Sequence, residues 1–244
     1  MPNPGHVRRS WRLGFWFRLA AVILLPFMTT CTKRHWQGQE NLEQDGGGII
    51  VAANHLSWFD PIALSHVLWC ADRPPRFLAK EPLFRVPVIG RIIAGAGQIP
   101  VYRESKEAVG AVRDAIAAVN AGECVVVYPE GTMTKDPDLW LMGLKTGAAR
   151  IALATKRPLI PVAQWGPQEV MPAYVKKFRL FPRKTMIIRV GPAVELSDLY
   201  DRPLDADTLR IASQRIWEAI TGLLAQARGE VAPTEPYRTD RSAT

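Results

Sequence analysis

Cys124-Val125-Val126-Val127-Tyr128 is an unbroken apolar run closed by Pro129-Glu130-Gly131-Thr132. Too short for a helix and rich in β-branched residues, it reads as a buried strand, and a strand without polar alternation needs cover on both faces. Residues 49–53 and 158–163 read as further buried strands, and 76–79, 99–102 and 185–190 as shorter ones, with one more around His35-Trp36-Gln37. Between them the pattern turns helical. A helix follows Asp60-Pro61 to about residue 69, and a short one lies within 86–96. Ser105 caps a helix over 106–120 with Val109, Val112, Ile116 and Val119 on one face, and a further helix covers 144–156. Residues 205–228 form a long amphipathic helix with Leu209, Ala212, Ile216, Ile220 and Leu223 at core spacing. The expected fold is therefore α/β: a single domain over residues 33–228, with a mostly parallel central sheet flanked by helices. Residues 229–244 are polar and expected to be a disordered tail.

Parallel strands joined by right-handed helical crossovers bring their carboxyl ends to one edge of the sheet, where open α/β sheets keep their chemistry. Four strand ends carry reactive or charged groups: His55 and Asp60, Lys80, Arg103, and Glu130-Gly131-Thr132. A single charge after a strand is usually a solvated loop residue. Four at one edge should converge on a site. Within Asn54-His55-Leu56-Ser57-Trp58-Phe59-Asp60-Pro61, residues five apart do not share a helix face, so His55 and Asp60 are not on one helix. Asp60 as N-cap, with Pro61 at the first helical position, leaves His55 in the turn above. That turn can fold the carboxylate under the imidazole, making a His-Asp dyad able to deprotonate a hydroxyl. The plainer alternative is a strand-end histidine beside a helix cap.

The net charge of +8 favours an anionic partner. Its placement says which. Arg8, Arg9, Arg12 and Arg18 interleave with Trp11, Phe15, Trp16 and Phe17, and an apolar run over 19–28 comes next, broken by Pro26. The run is shorter than the roughly 20 residues of a span, so residues 1–32 are expected to be an interfacial helix on an anionic membrane surface, peripheral or monotopic. A secretory signal has the same order of charge and apolarity, but Phe27-Met28-Thr29-Thr30 lacks the small residues of a cleavage site. No nucleic-acid-binding motif accompanies the arginines, so no nucleic-acid partner is expected. Cys31, Cys70 and Cys124 are widely spaced and the four histidines lack ligand spacing, which points to a reducing compartment, no disulfide framework and no metal. Lys145-Thr146-Gly147 lacks the glycines of a P-loop, so no nucleotide site is expected there. Residues 135–142 read as a loop, with Pro137 and Trp140, that could serve as a lid.

Taken in order, these stretches resemble the glycerolipid acyltransferase family, specifically bacterial 1-acylglycerol-3-phosphate acyltransferases. Asn54-His55 with Asp60-Pro61 is similar to that family's N-H-x4-D motif, and Ile99-Pro100-Val101-Tyr102-Arg103 to its second motif. Pro129-Glu130-Gly131-Thr132 resembles the third motif and Leu159-Ile160-Pro161-Val162 the fourth. The resemblance implies that His55 is the catalytic base and Asp60 its orienting partner. It further implies that Lys80, Arg103, Glu130, Gly131 and Thr132 hold the phosphate and glycerol, and that Ile160 and Pro161 lie on the acyl side. The family usually has Arg after Glu-Gly-Thr, where this chain has Met133. Lys135, Lys145 and Arg150 are alternatives for that contact.

The implied reaction moves a fatty acyl group to the free hydroxyl of lysophosphatidic acid, giving phosphatidic acid for phospholipid synthesis, with acyl-CoA or acyl-carrier protein as co-substrate and no cofactor. The implied location is the cytoplasmic face of the cell membrane. A related acceptor, such as glycerol 3-phosphate or another lysolipid, is the alternative within the family. A non-catalytic lipid-binding protein of the same fold is the alternative outside it.

Overall fold

A computed structural model of the chain describes residues 14–44, 47–101, 105–175 and 177–238, with the backbone alone for 105–109. Its sheet has seven strands: β1 (Thr32–Gln37), β2 (Ile49–Ala53), β3 (Pro75–Lys80), β4 (Ile99–Val101), β5 (Cys124–Val127), β6 (Leu159–Trp165) and β7 (Lys184–Val190). Their order is β1-β7-β6-β2-β5-β3-β4. The run from β6 to β4 is parallel, while β7 pairs antiparallel with β6 and carries β1 parallel to itself. The sheet is thus mostly parallel, as the short apolar runs require.

Both faces are covered, and the strands show why they carry no polar alternation. In β2, Ile50 and Ala52 face one core, shared with α4 (Ser105–Asn120), α5 (Gly147–Thr155) and, beyond the one-turn α6 (Pro167–Val170), α7 (Ala206–Arg228). Ile49, Val51 and Ala53 face the other, where α2 (Asp60–Cys70) supplies Ala63, Leu64, Val67 and Leu68. All five β2 residues are fully buried. Asp205 caps α7 by accepting the Thr208 N–H at 2.9 Å, and Gly229 at φ +69° ends it in the left-handed region that glycine enters without strain.

The first described helix, α1 (Phe15–Cys31), packs on α2 and on α3 (Ile89–Gly95). Phe17 stacks on Trp69 with ring centroids 5.4 Å apart. Gly95 is small for a reason: a Cβ there would lie 2.1 Å from Trp16 Cδ1. The opposite side of α1 is left to solvent, with Phe15, Val22 and Ile23 60–70% exposed. Among the described residues no helix is long and apolar enough to cross a membrane. Arg8, Arg9, Trp11 and Arg12 lie outside the described residues.

Two expectations change. Residues 135–142 are not a lid, because Trp140, Leu141 and Met142 are buried and the Arg228 guanidinium stacks over the Trp140 ring at 4.0 Å. The polar tail also returns to the domain as far as it is described: Tyr237 bridges Met142, and its carbonyl accepts the Gly143 N–H at 3.4 Å.

Candidate active site

β2 ends at Ala53, and Asn54 sets the geometry of the turn beyond it. The Asn54 side chain stands in for a strand backbone: its Nδ2 donates to Gln164 O at 3.0 Å and its Oδ1 accepts from Gln164 N–H at 2.7 Å. This clamps the turn to β6. His55 then emerges at the carboxyl edge, and its Nδ1 lies 2.8 Å from Asp60 Oδ2. The same oxygen accepts the N–H groups of Leu56 at 2.6 Å and Ser57 at 2.8 Å. Asp60 is the first residue of α2, one position later than its expected place as cap, and it turns back into the preceding loop. With a carboxylate oxygen as its neighbour, Nδ1 is the donor and Nε2 is left to accept a proton. Burial raises the Asp60 carboxyl above its ordinary value, opposed by the His55 contact and the two N–H donors.

The imidazole is also held by its face. Its ring stacks on Tyr128 with centroids 4.2 Å apart and planes 16° apart, and Tyr128 in turn stacks near Phe77 at 6.1 Å. Burial, and secondarily the Asp60 charge, push the Tyr128 hydroxyl well above its usual range, so it stays neutral. The residue types alone did not single Tyr128 out. Its position one residue past β5, beside β2, is the available signal. Ser57 is no nucleophile: its Oγ lies 2.6 Å from Met171 O and accepts the Phe59 N–H at 2.9 Å.

The remaining expected residues divide. His55, Lys80, Gly131 and Thr132 line one cavity of about 1400 Å³, together with Lys135, Lys145 and Arg150. Gly131 has φ +71°, and the Lys145 side chain lies across it: a Cβ there would be 2.8 Å from Nζ. Met133, where an arginine was expected, lines the same cavity and is 4% exposed. Arg103 lies outside the described residues. Most of the rest of the wall is apolar, including Phe17, Ala20, Leu24 and Met28 of α1, Ile62 and Trp69 of α2, and Ile89, Ile92 and Ile93 of α3.

Glu130 is placed differently from expectation. It is 3% exposed and points inward, where Oε1 accepts the His55 N–H at 3.2 Å and Oε2 the Met142 N–H at 3.0 Å. Both oxygens therefore serve backbone donors, and burial pushes the carboxyl up to about 8. It braces the His55 turn through these two bonds. Ile160 and Pro161 are also corrected, because neither lines this cavity. Ile160 is fully buried in the sheet core, and Pro161 borders a separate groove beside Gly191 and Leu223. A central strand buried on both faces has no side chain left for a substrate.

The acyltransferase family matches residues 33–165. The chain is 30% identical over 154 residues to "1-acyl-sn-glycerol-3-phosphate acyltransferase BAT2, chloroplastic" of Brassica napus, covering 63% of this chain and 42% of that protein. It is 29% identical over 165 residues to the 1-acyl-sn-glycerol-3-phosphate acyltransferase of Bacillus subtilis, covering 68% and 75%. The crystal structure of the 1-acyl-sn-glycerophosphate acyltransferase PlsC from Thermotoga maritima superposes with a TM-score of 0.64 at 19% identity, over 92% of this chain and 98% of that one, and so shares the fold. With the N-H-x4-D stretch inside the matched region, the chain belongs to the acyltransferase family.

Proposed function

We propose that the protein transfers a fatty acyl group from acyl-CoA or an acyl-carrier protein to the free hydroxyl of lysophosphatidic acid, giving phosphatidic acid. The observation that carries this is one cavity lined by His55 of the His55–Asp60 pair, by Lys80, Lys135, Lys145 and Arg150, and by a large set of apolar side chains. An amphiphile with an anionic head needs both.

In this reading Nε2 of His55 takes the proton of the acceptor hydroxyl as its oxygen attacks the thioester carbonyl. The new C–O bond forms, the C–S bond breaks as the tetrahedral intermediate collapses, and the imidazolium returns the proton to the departing thiolate. Asp60 holds the tautomer and stabilises the imidazolium, and base catalysis of this kind contributes about a hundred- to ten-thousandfold. No cofactor enters. Lys80, Arg103, Lys145, Thr132 and the backbone at Gly131 address the phosphate, with Lys145, whose side chain lies across Gly131, taking the role of the family's arginine. Among the described residues Lys135 and Lys145 pair with no carboxylate, which leaves them to an anionic ligand. The exposed apolar side of α1 rests on the membrane at its cytoplasmic face, where acceptor and product reside.

The test incubates purified protein with lysophosphatidate and labelled acyl-CoA, then repeats with glycerol 3-phosphate and other lysolipids. Label in phosphatidate supports the reading, and label found only as free fatty acid makes the protein a hydrolase instead. Lys145→Ala should raise KM for lysophosphatidate by about tenfold and leave the donor KM unchanged. Equal effects on both substrates contradict the phosphate role.

A further inference from the structure

We infer that residues 171–183 form a second membrane-contacting element, a fixed basic and apolar platform that seats the cavity mouth on an anionic bilayer. From Tyr174 to Arg183 every described side chain except Leu180 is exposed. Tyr174, Val175, Phe178 and Phe181 are 58, 43, 53 and 78% exposed, and Lys177 and Arg179 between them are exposed as well. Isolated apolar residues are ordinary on a protein surface, but this many within one short segment mark a contact site.

The segment is held open by design of the fold rather than by want of packing. Leu180 anchors it in the core, and the Arg179 N–H donates to Val170 O at 2.8 Å. Its start is tied to the catalytic turn, through the Ser57–Pro172 bridge and through the Tyr174 hydroxyl, which donates to Met133 O at 2.8 Å. Its end is tied to α1, since Arg183 Nη2 donates to Thr29 O at 3.1 Å and Thr32 O at 2.6 Å. Tyr174 itself lines the catalytic cavity. The platform thus runs from the mouth of the site to the end of the helix whose apolar side is already exposed.

Charge decides the occupant. No acidic residue occurs between Glu169 and Glu195, while Lys176, Lys177, Arg179, Arg183 and Lys184 fall in or beside the segment. Of these, Lys177, Arg179, Arg183 and Lys184 form no ion pair among the described residues. Exposed aliphatic and aromatic groups need an apolar medium and the interleaved cations need anions, and an anionic lipid interface offers both at one depth. A nucleic acid offers the phosphates but nothing for Val175.

The binding claim stands without the acyl-transfer reading; only its activity arm rests on it. The test measures co-sedimentation of the full chain with phosphatidylcholine vesicles, with and without phosphatidylglycerol. All variants keep α1. Lys177→Gln with Arg179→Gln should lower binding to the anionic vesicles by about 25-fold, fivefold per cation, and high salt should erase the difference. Val175→Ser with Phe181→Ser should lower binding to both vesicle types by about tenfold or more. Neither pair should change the unfolding midpoint or turnover of short, monomeric substrates, while turnover of vesicle-borne acceptor falls. Parent-like binding by both pairs overturns the proposal, as does a parent chain that binds single-stranded nucleic acid but no vesicle. Weakened vesicle binding with no acyl transfer by any chain upholds it and refutes only the enzymatic reading.

Discussion

Replacing Glu130 separates the two roles that its position in Pro129-Glu130-Gly131-Thr132 allows. In the structure it touches no cavity and instead accepts the backbone N–H groups of His55 and Met142. Glu130→Ala leaves both donors buried and unpaired. Each orphaned donor costs about 1–3 kcal/mol, so the variant should lose about 2–6 kcal/mol, a large part of a typical stability of about 5–15 kcal/mol. Glu130→Gln keeps the volume and one acceptor and should lose about 1 kcal/mol. Urea unfolding at constant m-value measures both. The pH dependence gives a second reading of the same group. Because burial raises its pKa to about 8, the folded chain keeps a proton that the unfolded chain has released above the ordinary 4.5. Its contribution to stability is thus complete below about 4.5 and is lost as pH rises towards 8, with a slope of up to about 1.4 kcal/mol per pH unit. Glu130→Gln should flatten that slope. A Glu130→Ala chain as stable as the parent, with a raised KM for the acceptor alone, would refute the bracing role and return Glu130 to the substrate.

Asp60→Asn should lower kcat by about a hundred- to ten-thousandfold with little change in either KM, because the amide no longer fixes Nδ1 as donor; steady-state kinetics on both substrates check it. Tyr128→Leu removes the ring beneath His55 and should cost about three- to tenfold in kcat, whereas Tyr128→Phe keeps the stack and should stay near the parent. Gly131→Ala should lose about 1–3 kcal/mol, since φ +71° disfavours a side chain, and should also raise the acceptor KM because its Cβ would displace the Lys145 ammonium.

The sequence made the sheet legible because short apolar runs without alternation have few other uses, and the edge that gathers His55, Lys80, Gly131 and Thr132 follows from parallel connection alone. The dyad was legible for a related reason. A spacing of five excludes a shared helix face, and Asp-Pro marks where the next helix begins. What stayed hidden were directions inside the site. Nothing in Glu130's neighbours says that the residue after a buried strand and a proline turns inward, and its partners, the N–H groups of His55 and Met142, lie 75 and 12 residues away in the chain. Ile160 sits in a fourth matching stretch, yet its strand is central and both its faces are spent on the cores. The loop around Trp140, which by sequence could serve as a lid, is instead closed over by Arg228 from the far end of α7. Such contacts are long-range, and local pattern does not encode them.

In the proposed reaction His55, held by Asp60, is the base for acyl transfer to a phosphate-bearing acceptor. The most direct measurement is single-turnover transfer of labelled acyl-CoA to lysophosphatidate by the parent and by His55→Gln, with the unfolding midpoint of each recorded alongside. The parent should yield phosphatidate, and the variant should lose at least about a hundredfold in rate at unchanged stability. Transfer by His55→Gln at nearly the parent rate would contradict it.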